Sequence, residues 1–295
     1  MNVDLVSKIP RRLAILGVGL MGGSFALALR QVAPQMHIAG YDRDEVNLAA
    51  ARQLGVIDQG SVDLASVVRE ADMVLMAVPV GQMAELFELM APHLNPVAVV
   101  TDVGSTKAGL VEAARRYLGP VVTRFVPGHP IAGAELSGVR AAQGGLFQDR
   151  TVILTPLEET LPHPLAWVRS CWELCGARVE CQTVTRHDEI FGVVSHLPHL
   201  LSFALVYEIA QRPDAATLFR FAASGFRDFT RIAGSNAEMW RDISLANRGV
   251  LKVELSRYRD QLEQLMEWLD TADGAALEDF MRKARTARRQ WQEGS

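Results

Sequence analysis

The sequence is poor in cysteine and shows no strong excess of charge of either sign. Its 295 residues include only three cysteines, an odd and small number that excludes a disulfide framework. The formal net charge of −4 provides no basic surface of the kind that binds nucleic acid or an anionic membrane. These features favour a globular protein of the reducing cytoplasm.

We also identify no long apolar run and no targeting segment in the sequence. No apolar run approaches the roughly 18 to 20 residues that a membrane helix needs. The first twelve residues lack the apolar region of a secretory signal. We therefore expect neither a membrane partner nor secretion, and the length allows one large or two modest domains.

A glycine-rich turn follows the first apolar segment, where residues 13–24 read L-A-I-L-G-V-G-L-M-G-G-S. The spacing G-x-G-x-x-G permits a sharp turn, a close approach of backbone to a pyrophosphate, and tight packing of the next helix. The amide groups at the start of that helix would face the phosphates. We predict that the turn binds a dinucleotide through Gly17, Val18, Gly19, Leu20, Met21 and Gly22.

An acidic residue lies at the distance that this kind of site requires. His37 to Tyr41 is a predicted strand, and Asp42 follows it about 20 positions after the glycines. Its carboxylate would accept hydrogen bonds from ribose hydroxyls and repel a 2′-phosphate, which favours NAD over NADP. The neighbouring Arg43 could soften that preference.

Strand and helix patterns alternate over the first 180 residues. The unbroken apolar run from Met73 to Val78 is typical of a parallel strand covered on both faces, and Val97 to Asp102 is the next predicted strand. The alternation predicts an α/β Rossmann-type, doubly wound, mostly parallel sheet. Ligands bind beyond the carboxyl ends of such strands, so Val78 and Pro79 join the predicted cofactor site.

The pattern becomes entirely helical after Thr185, and we place the domain boundary near residue 184. The predicted helices are Ile190 to Ala210, Leu218 to Ile232, Met239 to Leu269 and Leu277 to Trp291. The first is apolar on all faces, which predicts burial. So much apolar surface on about 110 residues predicts that residues 185–295 form a helical dimerisation domain and that the protein is a homodimer.

Two polar residues lie just beyond predicted strands. His129 belongs to P-G-H-P-I-A-G-A-E-L-S-G, residues 127–138, a proline- and glycine-rich segment that we interpret as a rigid loop. Its location at the ligand edge of the sheet favours a general base over a histidine bound only to backbone. Ser105, in D-V-G-S-T-K, could be a helix N-cap, a ligand contact, or both.

One cluster of polar residues lies in the first predicted helix of the helical half. S-H-L-P-H, from Ser195 to His199, places two imidazoles and a hydroxyl in an apolar segment, where they need partners. Pro198 should kink the helix. No third ligand accompanies the histidines, and Cys171 and Cys175 have the spacing of buried free thiols, so we expect no metal site.

The segment G-F-R-D-F-T-R-I-A, residues 225–233, carries two arginines four positions apart. They could form a solvated charged face. The apolar flanks instead favour partial burial and recognition of a carboxylate by an arginine.

Taken in order, these motifs resemble those of the prephenate and arogenate dehydrogenase family of tyrosine biosynthesis. The resemblance runs from about residue 12 to residue 245 and includes G-V-G-L-M-G-G-S, D-V-G-S-T-K, G-H-P-I-A-G, S-H-L-P-H and F-R-D-F-T-R-I-A with M-W-R-D-I. It implies an enzyme that passes a hydride from C4 of a cyclohexadienyl substrate to NAD(P) with loss of CO₂. The resemblance leaves prephenate and arogenate open as substrates, and we favour prephenate.

The resemblance also implies roles for individual residues. His129 would take the proton or hydrogen bond of the C4 hydroxyl, and Ser105 would bind the same region. The substrate contacts would come from Arg231 on the side-chain carboxylate, Ser195 and His199 in the pocket, Glu135 near Arg231, and Trp240, which resembles a residue that reaches the neighbouring subunit. Ala134 departs from the hydroxyl residue of many relatives.

Two other functions remain open at this point. A β-hydroxyacid dehydrogenase or imine reductase has the same two-domain plan, but such enzymes usually rely on a helical lysine, and nothing frames Lys252 as a site. A non-catalytic NAD-sensing protein would keep the glycine turn and have no use for His129 or Arg231.

Overall fold

The computed structural model describes residues 9–133 and 136–293. Six parallel strands form the main sheet, in the order β3-β2-β1-β4-β5-β6. They are β1 (Arg12–Leu16), β2 (His37–Tyr41), β3 (Gln59–Ser61), β4 (Met73–Met76), β5 (Val99–Asp102) and β6 (Phe125–Val126). The predicted strands are present, and several are shorter at one end than the apolar runs that indicated them.

The strand order confirms the predicted doubly wound fold. Winding reverses between β1 and β4, which are neighbours in the sheet although β2 and β3 separate them in the chain. Ligands of such sheets bind at this reversal, beyond the carboxyl ends of the strands. The glycine turn that follows β1 lies at that place.

Helices cover both faces of the sheet. They are α1 (Leu20–Val32), α2 (Glu45–Gln53), α3 (Leu64–Val68), α4 (Val80–Met90), α5 (Ala108–Tyr117) and α6 (Pro162–Leu174). On one face, the ring of Phe25 lies 4.6 Å from that of Trp172, and on the other, Phe87 lies 5.3 Å from Phe125. All four side chains are buried. Apolar packing on both faces therefore holds the sheet and the helices in place around the loops at the carboxyl ends of the strands.

A second sheet of three strands forms where the sequence predicted a rigid loop. Its strands are β7 (Gly128–Pro130), β8 (Thr151–Leu154) and β9 (Arg178–Cys181). β7 pairs antiparallel with β8, so that His129 lies opposite Ile153. The loop prediction for residues 128–130 is therefore wrong, because ladder bonds to β8 hold this segment extended. In the same segment, residues 134 and 135 lie outside the described residues.

The helical half is more divided than the periodicity predicted. Its first helices are α7 (Val184–Phe191), a π-helical turn (Gly192–His196) and α8 (Leu197–Ala210), which run on from one another. The predicted helix at 218–232 is two short helices, α9 (Ala215–Arg220) and α10 (Ser224–Thr230), followed by a 3₁₀ turn (Arg231–Gly234). The π-helical turn, whose i→i+5 bonds are wider than those of an α-helix, accommodates the irregularity that the nearby Pro198 introduces.

The predicted thirty-residue helix is interrupted at Asn247. It is present as α11 (Ala237–Ala246) and α12 (Arg248–Asp270), and the chain ends with α13 (Gly274–Glu293). Asn247 leaves the helical conformation, with φ −105° and ψ 24°, and its side chain bonds to two groups from elsewhere in the chain. Those side-chain bonds compete with helix continuation.

The apolar helical segment from Val184 to Ala210 is not buried in the single chain, contrary to our expectation. Only 22% of its most apolar stretch is covered, and Ser202 is the one buried residue of α8. By length and composition alone the segment could cross a membrane, which corrects the expectation that no run approaches that length. A core or interface helix of a soluble protein meets the same criterion.

The chain forms two compact units, of which the first ends at Arg248 and the second begins at Gly249. In the second unit, the ring centroids of Trp268 and Phe280 lie 5.8 Å apart and join α12 to α13. The domain boundary near residue 184 stays a prediction.

Candidate active site

A cleft of about 320 Å³ opens at the carboxyl ends of β1, β2 and β4. It contains six of the ten predicted cofactor residues, namely Gly17, Gly19, Asp42, Arg43, Val78 and Pro79. Tyr41, Ala77, Gln82 and Leu86 complete its lining and were not singled out from the sequence. Val18 lies in the turn and Leu20, Met21 and Gly22 begin α1, and none of these four residues lines the cleft.

The three glycines of the turn differ in what requires them. Gly17 has φ +92°, and a Cβ there would lie 2.6 Å from the carbonyl oxygen of Ala77. A Cβ at Gly22 would lie 2.5 Å from the carbonyl oxygen of Gly17. Both positions are therefore closed to other residues by the packing of the fold itself.

Gly19 is explained by no packing contact, since a Cβ there would meet nothing within 4 Å. It lies on the open side of the cleft, directly before the first residue of the 13-residue helix α1, and no side chain caps that helix. Free amide groups and the positive end of the helix dipole thus face the cleft. This arrangement suits the close approach of a pyrophosphate.

The Asp42 carboxylate is fixed by three donors. Its Oδ2 accepts from the amide of Val18 at 3.3 Å and from the side chain of Asn47 at 2.8 Å, and its Oδ1 accepts from the amide of Asp44 at 3.1 Å. Asn47 also donates to the carbonyl of Val18 at 2.9 Å, and the sequence did not point to it. Arg43 lies 3.4 Å from Glu85, with both side chains largely exposed.

The loop between β5 and α5 contains a buried ion pair. Lys107 contacts Asp102, and neither side chain has exposed surface. Ser105 lies in this loop, and it is not the N-cap of α5, because the helix begins at Ala108 and Lys107 occupies the cap position. The capping acceptor is instead the Asp188 carboxylate, which accepts from the amides of Lys107 and Ala108, both at 2.9 Å.

His129 begins a chain of hydrogen-bonded groups that the sequence did not reveal. Its Nδ1 lies 2.8 Å from Nε2 of His187, and Nδ1 of His187 lies 2.8 Å from Oδ1 of Asp188. Thr183 caps α7 by accepting from the amide of Arg186, which brings His187 and Asp188 into the first turns of that helix. The sequence signal that could have indicated this chain is the pair His187–Asp188, which follows the capping residue Thr183 within the first turns of a helix.

This chain determines which nitrogen of His129 carries a hydrogen. An ionised Asp188 only accepts hydrogen bonds, so Nδ1 of His187 donates to it. Nε2 of neutral His187 is then an acceptor, and Nδ1 of His129 donates to it. The remaining nitrogen, Nε2 of His129, therefore holds a free lone pair, as a general base requires.

The surroundings keep His129 neutral. Burial holds the pKa of His129 well below its ordinary value, and the electrostatic effects of His187, Lys107 and His196 add to it. Burial also lowers the pKa of His187, against the opposing effect of Asp188. The pKa of Asp188 is lowered through its bonds to His187 and to the backbone amides, which outweigh the cost of burial.

A second cluster surrounds the S-H-L-P-H motif. The ring of His199 stacks on Trp240 of the same chain, with centroids 3.6 Å apart and an angle of 20°, and its Nδ1 donates to the carbonyl of Ser195 at 2.9 Å. Nδ1 of His196 lies 3.1 Å from the side chain of Asn247, and His196 also bonds to the backbone of Ser105. Burial lowers the pKa of His196 to about 4. The cluster therefore links the helical half to the Ser105 loop.

The remaining predicted residues differ in what can be said of them. Arg231 is exposed at the start of the 3₁₀ turn, and its charge acts on His199, whose pKa is lowered mainly by burial. Glu135, like Ala134, lies outside the described residues. Within the described ranges, no group of three histidine, cysteine or acidic residues could hold a metal ion. Cys171 and Cys175 are buried there, as predicted.

Comparison with known proteins gives matches along the chain. A family model described as the nucleotide-binding domain of prephenate dehydrogenase matches residues 25–181, and one described as its dimerization domain matches residues 183–283. A cyclohexadienyl dehydrogenase from Zymomonas mobilis is 33% identical over 94% of this chain and 95% of its own. A prephenate dehydrogenase from Bacillus subtilis is 35% identical over 92% of this chain and 74% of its own.

Solved structures agree with these matches. The prephenate dehydrogenase of Aquifex aeolicus, in complex with hydroxyphenyl propionate and NAD⁺, has a TM-score of 0.88 and 37% identity, covering 95% of this chain and 97% of that one. The arogenate dehydrogenase of Synechocystis has a TM-score of 0.80 and 30% identity, covering 95% and 99% of the two chains.

Proposed function

The chain belongs to the prephenate dehydrogenase family, and from this premise we propose that it catalyses the NAD-dependent oxidative decarboxylation of prephenate to 4-hydroxyphenylpyruvate in tyrosine biosynthesis. One observation carries the proposal. His129 presents an unprotonated Nε2. The preceding residue, Gly128, donates its amide hydrogen bond to Asp102, which is the last residue of β5, the strand next to β4 in the sheet. The base therefore lies at the same sheet edge as the dinucleotide cleft.

The reaction needs little more than this base and a fixed geometry. His129 Nε2 takes the proton of the C4 hydroxyl while the hydride on C4 leaves for the nicotinamide, which supplies the oxidising power when NAD is bound. C4 then becomes a carbonyl carbon. The ring carboxylate leaves as CO₂, its electron pair completes the aromatic ring, and the C4 oxygen recovers a proton as a phenol. Ser105 would bind the same hydroxyl.

The cofactor site fits NAD. Gly19 leaves room for the pyrophosphate at the start of α1. Asp42 has its carboxylate held by three donors, which leaves it placed to accept from ribose hydroxyls. A 2′-phosphate at this position would meet that negative charge, so NADP is the poorer cofactor.

The substrate would extend toward the helical half. Arg231 would bind the side-chain carboxylate, because its guanidinium is exposed beside the His199–Trp240 stack. Ser195, His199 and Trp240 would line the pocket. Glu135 keeps the role near Arg231 that the resemblance gave it.

We also infer that the chain forms a homodimer through residues 185–295. The exposed apolar segment Val184–Ala210 needs a cover, and a match to a dimerization domain spans it. We retain the boundary near residue 184, which lies beside the junction of the two matched regions. A cytoplasmic location fits the buried thiols of Cys171 and Cys175.

The test is absorbance at 340 nm with purified protein, with prephenate or arogenate and with NAD or NADP. We expect the largest increase with prephenate and NAD. Arogenate as the better substrate would keep the chemistry and change the substrate. No increase in any of the four, from protein that binds NAD, would contradict the proposal and favour a β-hydroxyacid dehydrogenase or imine reductase.

The His129→Asn variant provides the control for the base. It should lose at least about 100-fold in kcat and keep its affinity for NAD, because general-base catalysis contributes about 10²- to 10⁴-fold. A near-normal kcat would contradict the mechanism.

A further inference from the structure

The ion pair of Asp102 and Lys107 has no part in the mechanism so far. Both side chains are fully buried. Replacing such a pair with apolar residues of similar volume is often neutral or stabilising, since desolvation offsets the attraction of the two charges. The pair therefore needs an explanation other than the stability of the fold.

The pair holds both peptide groups of one residue. Oδ1 of Asp102 accepts from the amide of Gly128 at 3.0 Å, and Nζ of Lys107 donates to the carbonyl of Gly128 at 2.6 Å. Gly128 directly precedes His129. Fixing it on both sides fixes the point and the direction from which the His129 side chain leaves the backbone.

The space around the pair is specific to it. A Cβ at Gly104 would lie 2.9 Å from Oδ2 of Asp102, and the amide of Gly104 donates to the same oxygen at 2.7 Å. A Cβ at Gly128 would lie 2.9 Å from the carbonyl oxygen of Asp102. Gly104 thus lets backbone come against the charged carboxylate of Asp102, which no apolar side chain would require, and Gly128 lets its backbone come against the backbone of Asp102.

The same loop also holds the ring of His129. The amides of Lys107 and Ala108 donate to Asp188, Asp188 accepts from His187, and His187 bonds to His129. The segment from residue 102 to residue 108 therefore fixes His129 twice, once at its backbone and once at its imidazole.

We propose that Asp102 and Lys107 are positioning residues that hold the backbone and the imidazole of His129 in place. Only the expected changes in kinetics with prephenate and NAD rest on the proposed function. The placement of His129 and its protonation are properties of the free protein and are measured without substrate.

The charged and titratable groups that face His129 act in one direction. Lys107 from the β5–α5 loop, His187 from α7 and His196 from the π-helical turn all disfavour the imidazolium. Asp188 and Asp102 act on His187, where they oppose burial. Removing the Lys107 charge should therefore raise the pKa of His129.

The experiment compares wild type with Lys107→Met and with the charge-free double variant Asp102→Asn/Lys107→Met. Histidine labelled with ¹³C is titrated by NMR, and the resonance of His129 is assigned by its loss in His129→Asn. Steady-state kinetics with prephenate and NAD are measured across pH on the same samples. Lys252→Met, which removes an exposed lysine, is the matched control.

We expect both variants to titrate His129 closer to an ordinary imidazole than wild type does. Their kcat should fall about 10- to 100-fold, as displacement of a positioned group produces, with little change in KM for NAD. The acid limb of kcat/KM should move to higher pH. Lys252→Met should match wild type in every measurement.

Some outcomes would overturn the inference. It fails if the His129 titration and the acid limb are the same in Lys107→Met and wild type, even if the melting temperature drops, because a purely structural role predicts only that drop. If Lys107→Met does not fold, the double variant gives the same comparison without an unpaired buried charge. Wild-type His129 titrating as an ordinary imidazole also refutes it. Inactivity of wild type with prephenate would instead defeat the proposed function and leave the NMR comparison valid.

Discussion

Replacing the Asp188 carboxylate with an amide, Asp188→Asn, should disturb the tautomer of His129 without touching His129. In wild type, Oδ1 of Asp188 accepts from the amide of Lys107 and from His187, and Oδ2 accepts from the amide of Ala108. An asparagine has one oxygen and one NH₂ group for these three donors. Whichever way it turns, its NH₂ faces a backbone amide that also donates.

The two orientations have different consequences for catalysis. With its oxygen toward His187, the asparagine preserves the tautomer and leaves the amide of Ala108 without an acceptor. With its NH₂ toward His187, it reverses the chain, so that Nε2 of His129 carries the hydrogen and no longer acts as a base. In both cases His187 loses a charged acceptor, which is worth about 1.5–3 kcal/mol. We therefore expect kcat/KM to fall about 10- to 100-fold.

The assay is initial velocity at 340 nm with saturating NAD, together with thermal unfolding. Asp188 also caps α5, so some loss of stability, about 0.5–2 kcal/mol, is expected from the cap alone. Asp63→Ala removes a comparable cap, the acceptor for the amide of Ala65 at the start of α3, and is the control for that effect. A folded Asp188→Asn variant with kcat/KM within about twofold of wild type would refute the tautomer argument.

Three further predictions follow from the same geometry. Arg231→Ala should raise KM for prephenate about tenfold or more with a smaller change in kcat, as loss of a ground-state carboxylate contact does; a change in kcat alone would contradict that role. Asp42→Ala should lower the ratio of kcat/KM for NAD over NADP about tenfold; an unchanged ratio would remove Asp42 from cofactor selection. Stability should fall below pH 6.5, because burial lowers the pKa of His196 to about 4 and the unfolded chain then binds more protons. Urea unfolding should show that the free energy of unfolding falls by about 2 kcal/mol between pH 7 and pH 5 because of His196. The control His93→Asn should show the same decrease, and equal free energies of unfolding at the two pH values would contradict the prediction.

The parts of the site that could be predicted are those set by neighbours in sequence. The glycine turn and Asp42 belong to one strand–helix–strand unit, and their spacing reflects the geometry of that unit. The doubly wound sheet was predicted for a similar reason, because strand and helix patterns alternate along the chain and because burial on both faces of a parallel strand such as Met73–Met76 dictates its apolar composition.

The parts that could not be predicted depend on partners far apart in the chain. His187 contacts His129 across 58 positions, and Asp188 caps α5 across 80 positions or more. Asn247 bonds to His196 across 51 positions. No local periodicity encodes such pairs, since the packing of the whole fold brings them together. The Gly128–Pro130 strand was missed likewise, because its partner is β8.

The cap that Asp188 gives to α5 also bears on how the chain folds. The acceptor lies in the helical half and the two amides lie in the nucleotide-binding half. A fragment ending before residue 184 would leave the start of α5 without that acceptor, and the Ser105 loop without its bond to His196. Residues up to Arg248 should then melt in one cooperative transition, and an isolated N-terminal fragment should show weakened amide-exchange protection, concentrated around residues 105–111.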